Sequence, residues 1–215
     1  MKTSFVWIGM LLCWQIGYGQ LGYPGGGVLT VEEEELRFRI LQLRDERAGL
    51  EESRLEIFRL EGPHSTTYQQ VMQEIARTLA EQTDELFQIV SRYGWPDRTL
   101  VGDDGATAFW LLVKGADLEF QKVCVPLLVR AAREGRVNPL QAAVLQDQVL
   151  IQQHKKQWYG TQFFYEEETG KVTLFPVAVL EDLNHRRASL HLEPIEDYLR
   201  KWQREQDNLA LQEMQ

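Results

Sequence analysis

The chain has 215 residues, with 23 Lys and Arg against 32 Asp and Glu for a formal charge of −9, and is 44% hydrophobic, 10% aromatic and 26% charged. That length fits one domain or one domain with a helical extension. The composition excludes collagen-like, disordered and disulfide-scaffold classes, and the acidic balance argues against a protein that tracks nucleic-acid phosphates.

The first 19 residues have the layout of a removable export signal. Lys2 is a positive start, Phe5 to Trp14 is an uncharged apolar run too short to cross a bilayer, and Gly17-Tyr18-Gly19 places small residues before a cut ahead of Gln20. The expected product is exported, periplasmic or secreted, and without a membrane span once the signal is removed. Cleavage would also remove Cys13, leaving Cys124 as the only thiol; a small buried hydrophobe is the simplest reading of it.

Residues 20–29 (QLGYPGGGVL) read as a flexible leader. Thr30 with Glu33 is a capping-box signature, and Leu36, Ile40, Leu43, Leu50 and Ile57 keep helical spacing, with Glu33–Arg37 and Glu35–Arg39 as i, i+4 pairs. Gly62-Pro63 ends this helix. Thr66 with Gln69 opens a second, carrying Val71, Met72, Ile75, Leu79, Leu86 and Val90, so residues 30–92 predict a helical hairpin.

Gly94-Trp95-Pro96 stops the second helix, and residues 97–105 predict a loop that leads into a buried helix over Ala106 to Val113. Asp117 predicts the cap of the next helix, in which Pro126 marks a bend or the true start, and which Gly135 closes. Asn138-Pro139 is an N-cap with Pro at the first helical position. After Lys155-Lys156, two aromatic and β-branched runs around a Gly-containing turn predict a β-hairpin, with Tyr159 to Gln162 at the start of its first strand. The tail predicts helix over Leu183 to Leu190 and from Pro194 to about Trp202, then a polar, fraying end over 203–215. The fold class is mainly α: a helical bundle-like domain with one small β-hairpin.

Several groups of residues agree in order over roughly 90–200. They are Gly94-Trp95-Pro96, Arg98 and Leu100-Val101-Gly102; Ala108, Trp110-Leu111-Leu112 and Ala116-Asp117; Phe120-Gln121 and Cys124; Asp147; Tyr159-Gly160-Thr161-Gln162; and Arg186-Arg187, Leu192-Glu193-Pro194 and Tyr198-Leu199. Together they resemble a bacterial family classified only as a domain of unknown function, which implies a core domain over 93–202 and brings no activity, substrate or cofactor. The chain departs from that pattern at Lys114-Gly115, where a Gln-His pair is usual, and at Gln148, where an Arg is usual.

The polar members of these motifs are Arg98, Asp104, Asp117, Asp147, Tyr159, Thr161, Gln162, Arg186 and Arg187. Two carboxylates, a tyrosine and an arginine lining one cleft support acid/base chemistry or hold an anion by bidentate Arg contacts. The candidate ligand-binding set is Arg98, Asp117, Asp147, Tyr159, Thr161, Gln162 and Arg186. The alternative is that these residues serve as caps, turns and ties between elements. The four His lack metal-ligand spacing, no Gly-x-Ser-x-Gly, Walker or dinucleotide motif is present, and no cofactor or metal is expected. Trp95, Trp110 and Trp158 could line a groove, although Trp110 sits in the most apolar run, where core packing explains it better. The sequence therefore leaves two readings: an exported binding or interaction module for a small molecule or protein, with the Trp95 to Gly102 and Tyr159 to Gln162 segments as one face, or a hydrolase-type enzyme using Asp117 or Asp147 with Tyr159.

Overall fold

The structure, a computed structural model, describes residues 28–166 and 169–213, with side chains through residue 208. The export signal and most of the leader lie outside the described residues. Among those residues are seven α-helices and a two-stranded antiparallel hairpin, so the chain is mainly α with one small β element. They divide into two compact units, one ending at Val137 and the other starting at Asn138.

The first unit holds α1 (Val31–Glu61), α2 (Thr66–Tyr93), α3 (Arg98–Lys114) and α4 (Leu118–Arg133). The Thr30 hydroxyl accepts from the Glu33 N–H and the Glu33 carboxylate accepts from the Thr30 N–H, so the capping box forms as spelled in the sequence. Ser65 rather than Thr66 caps α2. The expected i, i+4 ion pairs on α1 do not form. Glu33 is engaged in the cap, Arg37 reaches Asp104 on α3 through a fork of 2.8 and 2.6 Å, and Arg39 forks onto Glu85 of α2. The tertiary carboxylates give each planar guanidinium two parallel bonds.

Residues 97–105 are the main difference from expectation. They form the first half of α3, not a loop, with a break confined to Gly102 at φ 69°. Asp97 caps this helix by accepting from the Thr99 N–H at 2.8 Å. A Cβ at Gly105 would meet Val101 of the same helix at 3.0 Å and the Arg37 stem at 3.3 Å, so this glycine lets α1 lie close on α3, whereas Gly102 is required by its positive φ. Sequence reading takes Gly-Asp-Asp-Gly as a turn because the helix that covers it is about 65 residues away along the chain. Ile40 and Leu43 of α1 pack in the same core as Val101, Phe109, Trp110 and Val113 of α3 and Trp95, whose ring meets Phe109 edge-on. Trp95 and Trp110 are thus core residues. Cys124 is fully buried on α4, and burial pushes its thiol up to about 12. Helix α4 runs through Pro126 without ending there.

The second unit holds α5 (Pro139–Gln152), β1 (Phe163–Glu166), β2 (Lys171–Leu174), a single 3-10 turn at Leu180–Asp182, α6 (Leu183–Ser189) and α7 (Ile195–Glu213). Asn138 caps α5 with Pro139 in its first turn, as expected. The strands pair with Phe163 opposite Leu174 and Glu166 opposite Lys171. Phe163, Leu183, Ile195, Tyr198 and Trp202 make the core, with Val172, Leu174, Val177 and Leu199 packed on it. Two expectations fail here. Tyr159 to Gln162 precede β1 as an irregular loop, and α7 continues past Trp202. The polar end of α7 stays helical because Gln203 accepts from the Val172 N–H and donates to the Gly170 carbonyl, which docks that turn on the edge of β2. Among the described residues no helix is long and apolar enough to cross a membrane.

The buried Asp97 also gives the first unit a pH dependence. Burial alone would raise its carboxyl, but hydrogen bonds from Thr99 and Arg136 outweigh that and hold it below the ordinary 3.8. A carboxyl depressed in the folded state stabilises while ionised, and that contribution is lost as pH falls through the folded value. Asp97→Ala should therefore cost about 1–3 kcal/mol at pH 7, and the gap to the parent should close as urea midpoints are followed down to about pH 3. A gap of constant size would show that the charge contributes nothing.

Candidate functional site

Asp147 lies on the face of α5 that is turned into the second unit, and none of it is exposed. Its Oδ1 accepts from the backbone N–H of Trp158 at 2.7 Å and of Tyr159 at 2.9 Å. Its Oδ2 accepts from the Thr161 N–H and the Thr161 hydroxyl, both at 2.9 Å. The loop Gln157 to Gln162 thus wraps one carboxylate. Gly160 makes the wrapping feasible, since its φ of 70° turns successive N–H groups inward, and a Cβ there would stand 3.1 Å from Ile195.

The same loop is held from its other sides. Gln157, itself fully buried, donates to the carbonyls of Gln162 and Phe175 and accepts from the Gln162 N–H, bridging the loop to the chain that follows β2. The Gln162 side chain donates to Val144 O on α5 and to Thr161 Oγ1. Arg186 donates to the carbonyls of Trp158, Val179 and Ala178, and its guanidinium lies 4.5 Å from the Trp158 ring centroid. Arg187, with no exposed surface, donates to the carbonyls of Glu193 and Tyr159 and stacks on Tyr198; its Nη2 is buried without a partner among the described residues.

Electrostatically the centre is an acid and a base in a dry place, and burial pushes each towards its neutral form. Burial pushes the Asp147 carboxyl up, and the Thr161, Tyr159 and Trp158 N–H groups and the Thr161 hydroxyl oppose it. Burial likewise pushes the Arg187 guanidinium down, against the attraction of Tyr198, Glu193 and Asp147. The donors favour an ionised carboxylate, whose charge is met by N–H dipoles instead of by a direct ion pair.

Of the candidate residues, the structure brings Asp147, Tyr159, Thr161, Gln162 and Arg186 around one loop. Arg98 and Asp117 belong to the first unit, where Arg98 is the half-buried first residue of α3 and Asp117 caps α4 by accepting from the Phe120 N–H at 2.9 Å. Asp147, Thr161 and Arg186 direct the polar atoms described above into the protein, not into a cleft. A surface groove of about 580 Å³ lies in the first unit, lined by Val31, Glu32, Glu35, Leu36, Arg92 and Tyr93, and it includes no candidate residue. Gln157 went unnoticed in the sequence because a lone Gln between Lys156 and Trp158 carries no motif. Arg187 was visible in its motif, but nothing distinguished it from Arg186.

A family model described as "Family of unknown function (DUF6624)" matches residues 59–210, more than half of the chain. Helix α1 lies almost wholly outside that span. No curated protein and no solved structure matches the chain.

Two substitutions rank the contacts of the carboxylate. Asp147→Ala leaves the buried N–H groups of Trp158, Tyr159 and Thr161 unpaired and should cost about 3–5 kcal/mol. Thr161→Val removes one donor at constant shape and should cost about 1–3 kcal/mol. Denaturant melts in which Asp147→Ala stays within about 0.5 kcal/mol of the parent, as a surface substitution does, would contradict this geometry.

Proposed function

The chain belongs to this family of unknown function, and from the geometry of its second unit we propose that it is a non-catalytic binding or interaction module. The observation that carries the reading is the commitment of Asp147: both oxygens accept hydrogen bonds from the loop it anchors, and Arg186, its polar neighbour in the candidate set, is occupied with three carbonyls. A general base or nucleophile needs a lone pair facing substrate. A knot of this kind instead fixes a loop in one conformation, and a rigid loop lowers the ordering cost of binding. The hydrolase alternative has no such support from these residues.

The same proposal includes export. Lys2, the uncharged run Phe5 to Trp14 and the small residues at Gly17 and Gly19 support signal-directed secretion with cleavage before Gln20. The partner is then a small molecule or protein met outside the cytoplasm, and the net charge of −9 disfavours nucleic acid.

Two measurements test these parts separately. Mass spectrometry of the protein from its host should find an N-terminus at or near Gln20 outside the cytoplasm; recovery only as a Met1 form in the cytosol refutes export. Chromogenic ester, peptide, phosphate and glycoside substrates should show no turnover that disappears in a folded Tyr159→Phe or Asp147→Asn variant, while thermal-shift screening should find ligands that raise Tm. Turnover lost in either folded variant would replace the module with an enzyme.

A further inference from the structure

Trp158, Val179 and Leu180 are exposed to 40%, 55% and 62%, and they belong to one surface of the second unit. Two chain segments carry them. Gln157 and Val177 form a parallel bridge, with the Gln157 N–H donating to Pro176 and the Ala178 N–H donating to Gln157. Arg186 then joins the segments beyond the bridge, since it donates to the carbonyls of both Trp158 and Val179. Val179 stands at φ 42°, a left-handed conformation that a β-branched residue adopts only when its surroundings impose it. The Arg186 bonds to Ala178 and Val179 provide that imposition, and the turn leaves Val179 and Leu180 uncovered.

The charges at the ends of this surface have a definite order. Lys155 and Lys156 precede the bridge on the first segment, and Glu181 and Asp182 follow Leu180 on the second; all four are exposed. The segments run the same way at the bridge, and the second then turns at Val179 into Leu180–Asp182, so the basic pair lies on the near side of the apolar residues along the chain and the acidic pair beyond them. Lys155 donates to Gln153, while Asp182 makes no side-chain cap bond at the start of α6. In a chain of charge −9, the two pairs at the ends of this surface cancel one another and the Arg186 guanidinium between them is spent on three carbonyls, so two copies can approach here with less repulsion than the net charge gives elsewhere.

We propose that this surface docks a second copy of the chain, in a two-fold pair that sets Lys155 and Lys156 of each copy against Glu181 and Asp182 of the partner subunit, with Trp158, Val179 and Leu180 buried between them. A two-fold axis through the apolar centre reverses the direction of the segments, so a surface that is basic at one end and acidic at the other is its own complement. The buried aromatic at the centre and the charged rim match how such interfaces are built. The small patch makes the pair a weak one, with a Kd on the order of micromolar or above.

The proposal rests on the interaction-module reading but fails separately from it. Sedimentation of the purified protein over a wide concentration range should show a monomer–dimer equilibrium that high salt weakens. Leu180→Asp should abolish the dimer with Tm of the monomer unchanged. Lys155→Glu with Lys156→Glu, and separately Glu181→Lys with Asp182→Lys, should each weaken self-association roughly tenfold or more. An equimolar mixture of these two double variants should recover a heterodimer, since each then meets opposite charge at both ends. A monomer at every concentration, a dimer indifferent to these substitutions, or a mixture that fails to pair overturns the proposal; if the patch instead takes an unrelated peptide, the module reading stands while the self-pairing does not.

Discussion

The second unit depends on the buried Asp147 side chain having its acceptor capacity filled by a single loop. An isolated carboxylate moved into a dry interior costs several kcal/mol even after relaxation. Here three backbone N–H groups and a hydroxyl are aimed at it. Hydrogen bonds to a charged group contribute about 1.5–3 kcal/mol each, so a fully occupied shell offsets the burial and a partly occupied one does not. The interaction is therefore close to all-or-none, and the path of Trp158 to Thr161 is as fixed as that of a strand although it has no regular structure. Gly160 is the local condition for it, because a side chain there would strike Ile195 as well as strain the turn.

Both arginines of α6 extend this logic to the carbonyl side. Once the N–H groups of the loop point to Asp147, its carbonyls point outward and need donors. Arg186 and Arg187 supply them at Trp158 and Tyr159, and each also reaches a second segment: Val179 and Ala178 for Arg186, Glu193 for Arg187. Guanidinium groups used in this way act as rigid multi-donor ties. The result is a loop whose polar groups face inward and whose apolar groups, Trp158 first among them, are left outside.

The first unit follows a different principle. The second half of α3, from Ala108 on, is buried on nearly every side, and α1 covers it through Ile40, Leu43 and the guanidinium of Arg47, which donates to Leu112 O at the end of α3. Since the family model begins at residue 59, this cover is supplied by chain that the family match does not include. Arg47 passes over Gly115, where a Cβ would stand 3.0 Å from its Nη1.

How much was legible follows from the range of each interaction. The capping box at Thr30, the caps at Asp117 and Asn138, and the β-hairpin are decided by residues within a few positions of one another, so the sequence alone specified them. So was the mainly helical class, which rests on apolar spacing. Glycine was ambiguous by nature: at Gly94 it ended a helix as expected, at Gly102 it made a break inside one, and at Gly105 it served the approach of α1, which no local pattern announces. The candidate residues were visible as a group but not in their roles, because a carboxylate reads the same whether it faces solvent, substrate or backbone. Only the tertiary structure decided that Asp147 faces a loop 11 to 14 residues further on and that Arg186 and Arg187 close it, each 28 residues from the loop residue it bonds. Hydrogen bonds of that span obey no periodicity, and which donor reaches which acceptor is set by how the helices and hairpin pack around them.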